Sequence, residues 1–371
     1  MAFNKYIKKG GKEYRLGYTT GTAAAGAAKA AAELLFENQR PETVIISTPA
    51  GIDVELDVKN YKLGNKTASA SVNKDGGDDK DITDGLEISV KLKEIQQEQI
   101  IITAGKGVGT VTKPGLAVEV GRPAVNPVPR KMIKDVLSGY LKPGQGLEVE
   151  ITVPEGEEAA AKTFNPDLGI EGGISIIGTT GIVEPMSESA YKESLALKLK
   201  QAVSSGRDQL VFVFGNHGRD RAIKLGYQEE EVIRMSNFVG YILDIASELK
   251  LKKVLVIGHV GKIIKIAGGI FNTHSKMADC RREIIAAHAA LNGAGQEIII
   301  RVMAANTAEE AAAYLIGAGY KDVFNQLADK IRDRVKARLD NDIAIDTMIY
   351  TFEEGFIGYS EAIRKDGEAI G

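Results

Sequence analysis

The chain has one cysteine, no tryptophan and four histidines among its 371 residues. A single thiol, Cys280, cannot build an internal disulfide framework, and it suits a reducing cytoplasm. It cannot found a thiolate metal site either. No pair among His217, His259, His274 and His288 has zinc-ligand spacing, so no dedicated metal site is expected. Aromatic residues make up only 6% of the chain, which argues against a stacking platform for single-stranded nucleic acid. Strong charge of either sign is missing too: the net charge is −3, so no basic field invites nucleic acid. A long uninterrupted apolar run is also absent. The most hydrophobic window, VLVIGHVGKIIKIAGGIF (254–271), carries His259, Lys262 and Lys265 and does not read as a membrane span. The opening MAFNKYIKKGGKEYRL lacks the apolar stretch of a signal peptide. The remaining expectation is a soluble cytoplasmic protein with neither membrane nor nucleic acid as partner. At 44% hydrophobic and 26% charged residues it has a globular profile, and its length suits two domains.

Pattern predicts an α+β domain over 1–168. GYTTGTAAAGAAKAAAELL (17–35) is a Gly- and Thr-rich turn running into a helix nearly bare of side chains, so something must approach that helix closely. Thr at the turn can cap the helix, and such a start also suits an anion. Alternating runs follow at 43–48, 52–58, 67–72, 86–92 and 99–105, with the acidic loop NKDGGDDKDITDG (73–85) among them. A Pro-rich passage leads into a helix from about Val128, and GLEVEITVP (146–154) reads as another strand. Over 169–371 the pattern changes. GISIIGTTG (173–181), LVFVFGNHGRD (210–220) and KVLVIGHVGK (253–262) read as apolar strands closed by Gly-containing turns, and EIIIRVMAAN (297–306) as a fourth strand. Strands alternating with helices predict an α/β domain with a doubly wound, mostly parallel sheet. Ligands of such sheets bind beyond the carboxyl ends of the strands, at a switch point in strand order.

Each candidate site has a structural alternative. The Gly-x-x-Gly turns let backbone approach a ligand, or merely turn the chain. His217 and His259 lie inside these turns and could orient a ligand or act as a general base, or simply bond backbone. Asp78 and Asp79 in the acidic loop offer carboxylates for proton transfer, unless the loop is a solvated turn. Lys113, Arg122 and Arg130 around rigid Pro-bounded backbone suit carboxylate clamping, or a helix lead-in. Asn272, Thr273 and His274 in GIFNTHSKMAD form a binding wall or a helix cap.

Taken together, GYTTGTAAA, KDGGDDKDITDG, GVGTVTKPGLAVEVGRPAVNPVPRKMI, GISIIGTTGIVEPMSESA, GNHGRD, SNFVGYILD and GHVGKIIKIAGGIFNTHSKMAD resemble the CbiD family of cobalt-precorrin-5B C-1 methyltransferases, over nearly the whole chain. The family often has Cys where this chain has Ala23, which excludes a catalytic thiol there. It often reads Asp-Pro-Asp where this chain has Asp79-Lys80-Asp81. The resemblance implies S-adenosylmethionine as cosubstrate, with cobalt present only as part of a tetrapyrrole substrate. Methylation at C-1 of cobalt-precorrin-5B gives cobalt-precorrin-6A, in a pathway whose neighbouring enzymes are candidate partners. With such a substrate in view, its carboxylates fit Lys113, Arg122, Arg130, Arg219 and Lys262, and Thr19, Thr20 and Thr22 become a candidate pocket wall. Fold logic places the donor against Gly178, Thr179, Thr180 and Gly181, and against Gly215, Gly258 and Gly261. Two other readings remain open at this point: a non-catalytic corrinoid-intermediate carrier, and an α/β enzyme acting on a phosphorylated metabolite.

Overall fold

The computed structural model describes residues 3–249, 251–339 and 343–366. The architecture is mixed α/β, and the chain divides into two compact units, Met1–Glu188 and Ser189–Gly371. The division falls after residue 188, not after 168 as the pattern predicts, because residues 170–183 pair with strands and loops of the first unit.

In the first unit the alternating runs form a six-stranded sheet ordered Thr43–Ser47, Asp53–Gly64, Thr67–Asn73, Glu87–Ile95, Gly146–Thr152, Ile100–Ala104. All neighbours are antiparallel except the last pair. Val54, Leu56, Ile88, Val90 and Leu92 point to one buried face, as period-2 patterning demands. The alanine helix, Thr20–Glu37, packs against strands Thr67–Asn73 and Glu87–Ile95 and against helix Pro127–Ser138. Its eight alanines from Ala23 to Ala32 are fully buried. The bare helix is therefore explained by close backbone packing within this unit: larger side chains would hold the sheet and the second helix away. Thr19 caps the helix by accepting from Thr22 N–H at 3.3 Å, and Asn38 ends it in the left-handed region at φ 55°.

The second unit has a five-stranded sheet ordered Val232–Arg234, Gln209–Val213, Lys253–His259, Ala344–Tyr350, Phe356–Tyr359. The first four strands are parallel and the last is an antiparallel edge. The apolar runs LVFV and VLVI are continuous because both faces are covered. Leu210, Phe212, Val254 and Val256 join one core, and Val211, Val213, Leu255 and Ile257 join another. The chain enters at Gln209–Val213, crosses to Val232–Arg234 on one side, then to Lys253–His259 on the other. Strand order therefore reverses between Gln209–Val213 and Lys253–His259, which makes their carboxyl ends a topological switch point.

Two expected strands are absent from this sheet. Residues 297–306 lie largely in a helix, Gln296–Ala304, where Glu297 and Arg301 pair one turn apart at 3.1 Å. The apolar run GISII contributes only the two-residue strand Gly173–Ile174, paired with Gly107–Val108 in the first unit.

Candidate functional site

In the first unit the Thr-Gly turn at 19–22 and the one at 178–181 meet. Thr19 N–H donates to Gly181 O at 3.0 Å, and Thr22 Oγ1 donates to Gly181 O at 2.7 Å. Thr20 Oγ1 accepts from Ile177 N–H at 2.9 Å and lies 3.2 Å from Ile177 O as a donor. Gly178 has φ +137°, and a Cβ there would sit 2.2 Å from Thr19 Oγ1, so only glycine allows this approach. Thr19, Thr20 and Thr22 are buried with their hydroxyls engaged in this joint. They form an internal lock, not the open pocket wall expected of them. Gly178, Thr179, Thr180 and Gly181 likewise belong to the first unit and close no strand of the parallel sheet. Thr180 O accepts from Ala50 N–H, which ties the turn to the edge of the six-stranded sheet.

The acidic loop is similarly committed. Arg15 grips Asp75 through both terminal nitrogens, at 2.5 and 2.8 Å. Asp78 accepts from Arg15 N–H at 2.6 Å and Asp79 from Met186 N–H at 3.2 Å. The buried Lys74 ammonium donates to Asp81 at 2.6 Å, and Asp84 accepts from Gly76 N–H. Asp78 and Asp79 thus brace the loop instead of facing a cleft as a free carboxylate pair. Burial by itself would raise the Asp81 pKa, but the Lys74 charge and the Thr83 bonds outweigh it and the net shift is downward. A depressed folded-state pKa stabilises above the unfolded value, about 3.9, and that contribution is lost as pH falls through the folded value. The first unit should therefore loosen in acid below that range, and an Asp81→Asn variant should show a flatter dependence of melting temperature on pH over the same window.

Around the Pro-rich passage, Arg130 donates from Nε to Val125 O at 2.6 Å and from Nη2 to Pro123 O at 3.0 Å. Its guanidinium therefore braces the turn before helix Pro127–Ser138 in place of standing open as a carboxylate clamp. Arg122 is exposed, with only a loose 3.9 Å approach to Glu119, and Lys113 is exposed with its stem over Gly169.

The second unit brings the two predicted histidines together at the switch point. His259 ends its strand and caps helix Val260–Ala267 by accepting from Gly261 N–H at Nδ1, 3.1 Å away. Its Nε2 lies 2.9 Å from Glu309 Oε2. Because Nδ1 accepts, the ring proton sits on Nε2 and is donated to Glu309. Burial holds the ring pKa below its usual value against the pull of the Glu309 carboxylate, which favours this neutral form. With both nitrogens engaged, His259 has no free lone pair for a general base. His217, in the first turn of helix Asn216–Lys224, is exposed and no hydrogen bond occupies either nitrogen among the described residues. Both rings meet Phe352: His259 stacks on it at 4.3 Å and His217 packs T-shaped against it at 5.1 Å.

Gly215 opens the helix after strand Gln209–Val213 with free space around it, whereas Gly258 is buried beneath Ile263 and Phe214. Of the proposed donor-contact glycines in this unit, Gly215 and Gly261 keep partial exposure. Lys262 is half-buried without a carboxylate partner among the described residues, and burial lowers its pKa. Arg219 is already paired with Glu229 at 2.6 Å. Beyond helix Val260–Ala267, Thr273 is buried against Asn237, and Asn272 accepts from His274 N–H. His274 is exposed but its Nδ1 accepts from Lys276 N–H. The polar cluster is thus a folded loop, held from beneath by the buried Lys265, whose Nζ donates to Thr273 O and Ala278 O.

Sequence reasoning misses Glu309, Phe352, Arg221 and Lys265. Glu309 opens helix Ala308–Gly317, and nothing in its local TAEEAAA context points to a histidine 50 residues upstream. Arg221 lies 4.3 Å over the Tyr350 ring and donates to Thr351 O, bracing the segment that carries Phe352.

The comparisons with known proteins agree on one family. A model described as CbiD matches residues 7–185, and a CbiD C-terminal domain model matches residues 272–361. A protein of Alkaliphilus metalliredigens named cobalt-precorrin-5B C(1)-methyltransferase is 47% identical, covering 96% of this chain and 94% of that one. A protein of the same name from Thermoanaerobacter sp. is 45% identical, covering 98% and 99%. A crystal structure described as a cobalamin biosynthesis protein (cbiD) from Archaeoglobus fulgidus is 29% identical and covers 75% of this chain and 87% of that one. Its TM-score is 0.39. The length and level of identity with the curated relatives leave one conclusion: the chain belongs to the CbiD family.

Proposed function

We propose that this chain transfers the methyl group of S-adenosylmethionine to C-1 of cobalt-precorrin-5B, giving cobalt-precorrin-6A, in a cytoplasmic step of corrin-ring synthesis. The near full-length identity to relatives of that name carries the reaction. We read the C-terminal sheet as doubly wound, a reading supported by its parallel order and two covered faces. On that reading the donor lies in the switch-point crevice, between Gly215–His217 and His259–Gly261.

The residues there suit an adenosyl sulfonium: half-open glycine turns, two helix starts and an aromatic cluster. The donor supplies an electrophilic methyl; as the bond to C-1 forms, the sulfur–carbon bond breaks with its electron pair kept on sulfur, and the methylated ring releases a proton. No protein nucleophile is needed, so the chain's task is positioning and proton removal. His217 accepts the proton, because it alone among the four candidates carries no hydrogen bond from the described residues; Asp78 and Asp79 brace backbone, and His259 is locked. Lys262 takes a carboxylate with its unpaired ammonium. Lys113 and Arg122 keep exposed charges for substrate carboxylates, while Arg130 and Arg219 act through the turns they hold.

The deciding experiment is incubation with cobalt-precorrin-5B and S-adenosylmethionine followed by mass spectrometry. The expected result is one added methyl and an equivalent of S-adenosylhomocysteine. Intact donor with no gain in mass overturns the proposal.

A further inference from the structure

Phe352 is out of place by ordinary burial rules. It follows the carboxyl end of strand Ala344–Tyr350, in the middle of the switch-point cluster, yet its surface is 54% exposed. An aromatic ring left open in this way is nonetheless held firmly. One face stacks on His259 with the planes 25° apart, and His217 packs T-shaped against the ring with the planes at 74°. Its backbone N–H donates to Glu309 Oε1 at 2.6 Å, while Glu309 Oε2 accepts from His259. One carboxylate therefore fixes both the platform ring and the ring beneath it. Glu309 lies in the first turn of helix Ala308–Gly317, where the helix dipole favours its negative charge.

We infer that Phe352 is the aromatic platform on which an adenosyl sulfonium donor docks, and that Glu309 is the positioning residue that sets the platform. The inference rests on the donor site read above and deepens it. A flat purine gains from stacking on an open aromatic face, and a sulfonium cation gains from the negative π face. The ring under Phe352 must then be uncharged, since an imidazolium would repel the cation. Burial, with the Gly261 N–H on the Nδ1 lone pair, keeps it so against the pull of the Glu309 carboxylate, whose part is to hold the ring in place by accepting from Nε2–H. The groups facing His259 are Glu309, Arg221, His217 and Tyr350, and Glu309 alone among them bonds the ring.

The test measures binding of S-adenosylhomocysteine to the full-length protein by calorimetry, alongside melting temperature and steady-state kinetics with both substrates. Phe352→Leu and Glu309→Ala should each weaken binding by about tenfold or more, the scale of one lost base-stacking contact. Both should also raise the KM for the donor while leaving the KM for the tetrapyrrole near wild type; the melting temperature should hold in Phe352→Leu and fall modestly in Glu309→Ala, which leaves the His259 Nε2–H and the Phe352 N–H without their acceptor. Glu309→Gln keeps one acceptor oxygen, enough for either His259 or the Phe352 N–H, and should recover part of the lost affinity. Wild-type binding that both variants retain in full overturns the inference and leaves the donor site standing. A parallel rise of both KM values, with a lowered melting temperature in Phe352→Leu, overturns it as well, in favour of a purely structural role. A wild-type protein that does not bind the probe overturns the donor site itself.

Discussion

Replacing His217 with alanine is expected to cut the rate of methyl transfer by about 10²–10⁴, the usual contribution of a positioned general base. The fold should be unaffected, because the imidazole is exposed and holds no hydrogen bond among the described residues. His259→Ala provides the contrast. It removes the cap of helix Val260–Ala267 and the partner of Glu309, so it should cost about 1 kcal/mol or more in stability and should impair donor binding. Single-turnover methyl transfer read by mass spectrometry, with a thermal melt of each variant, separates the two roles. Full turnover in His217→Ala would remove it from the chemistry and return the question of the base to the other carboxylates and histidines.

The second large effect is on stability. Gly17→Ala is expected to destabilise the first unit by roughly 3 kcal/mol or more, at the high end for a single substitution. A Cβ at Gly17 would lie 2.3 Å from Gly76 C and 2.4 Å from Asp75 O, both backbone atoms that cannot swing aside as a side chain could. Relieving the clash means lifting the acidic loop off the strand. That breaks the Tyr18 N–H bond to Asp75 O and the Asp78 N–H bond to Arg15 O, and it loosens the Arg15 grip on Asp75. Gly139→Ala is the matched control: its φ is −67° and the nearest neighbour to an added Cβ is Val136 O at 3.8 Å. Denaturant midpoints should fall sharply for the first variant and stay level or rise slightly for the second. Equal midpoints would mean that the acidic loop yields more readily than its bonds suggest.

Much of the fold is legible in the sequence because burial imposes a simple period. Alternation in IDVELDV and LEISVKL marks half-buried antiparallel strands, and unbroken LVFVF and VLVIG mark parallel strands covered on both faces. The failures have the same origin. EIIIRVM has the β-branched composition of a buried strand, but its register repeats Glu297 and Arg301 one helical turn apart, and Val302 is its one buried residue. GISIIGTTG has the composition of a strand ending in a ligand loop, but Gly173, Gly178 and Gly181 are spent on close contacts inside the first unit. The site divides along similar lines. Single residues inside conspicuous turns, His217 and His259, are visible from the chain alone. Glu309 and Phe352 are not, since their importance comes from pairing over 50 and 93 residues respectively, and no local pattern records such a distance.

The joint between Thr19–Thr22 and Ile177–Gly181 also sets the order in which the protein can be made. About 160 residues separate its halves, so the start of the alanine helix emerges from the ribosome long before the strand that satisfies it. Until Gly181 and Val183 are synthesised, the Thr20 hydroxyl and the Gly21 N–H have no partner at 177, and strand Gly17–Tyr18 has no neighbour at 182–183. The first unit is thus completed by its own last residues, and its beginning must wait as an unfinished edge through most of its translation.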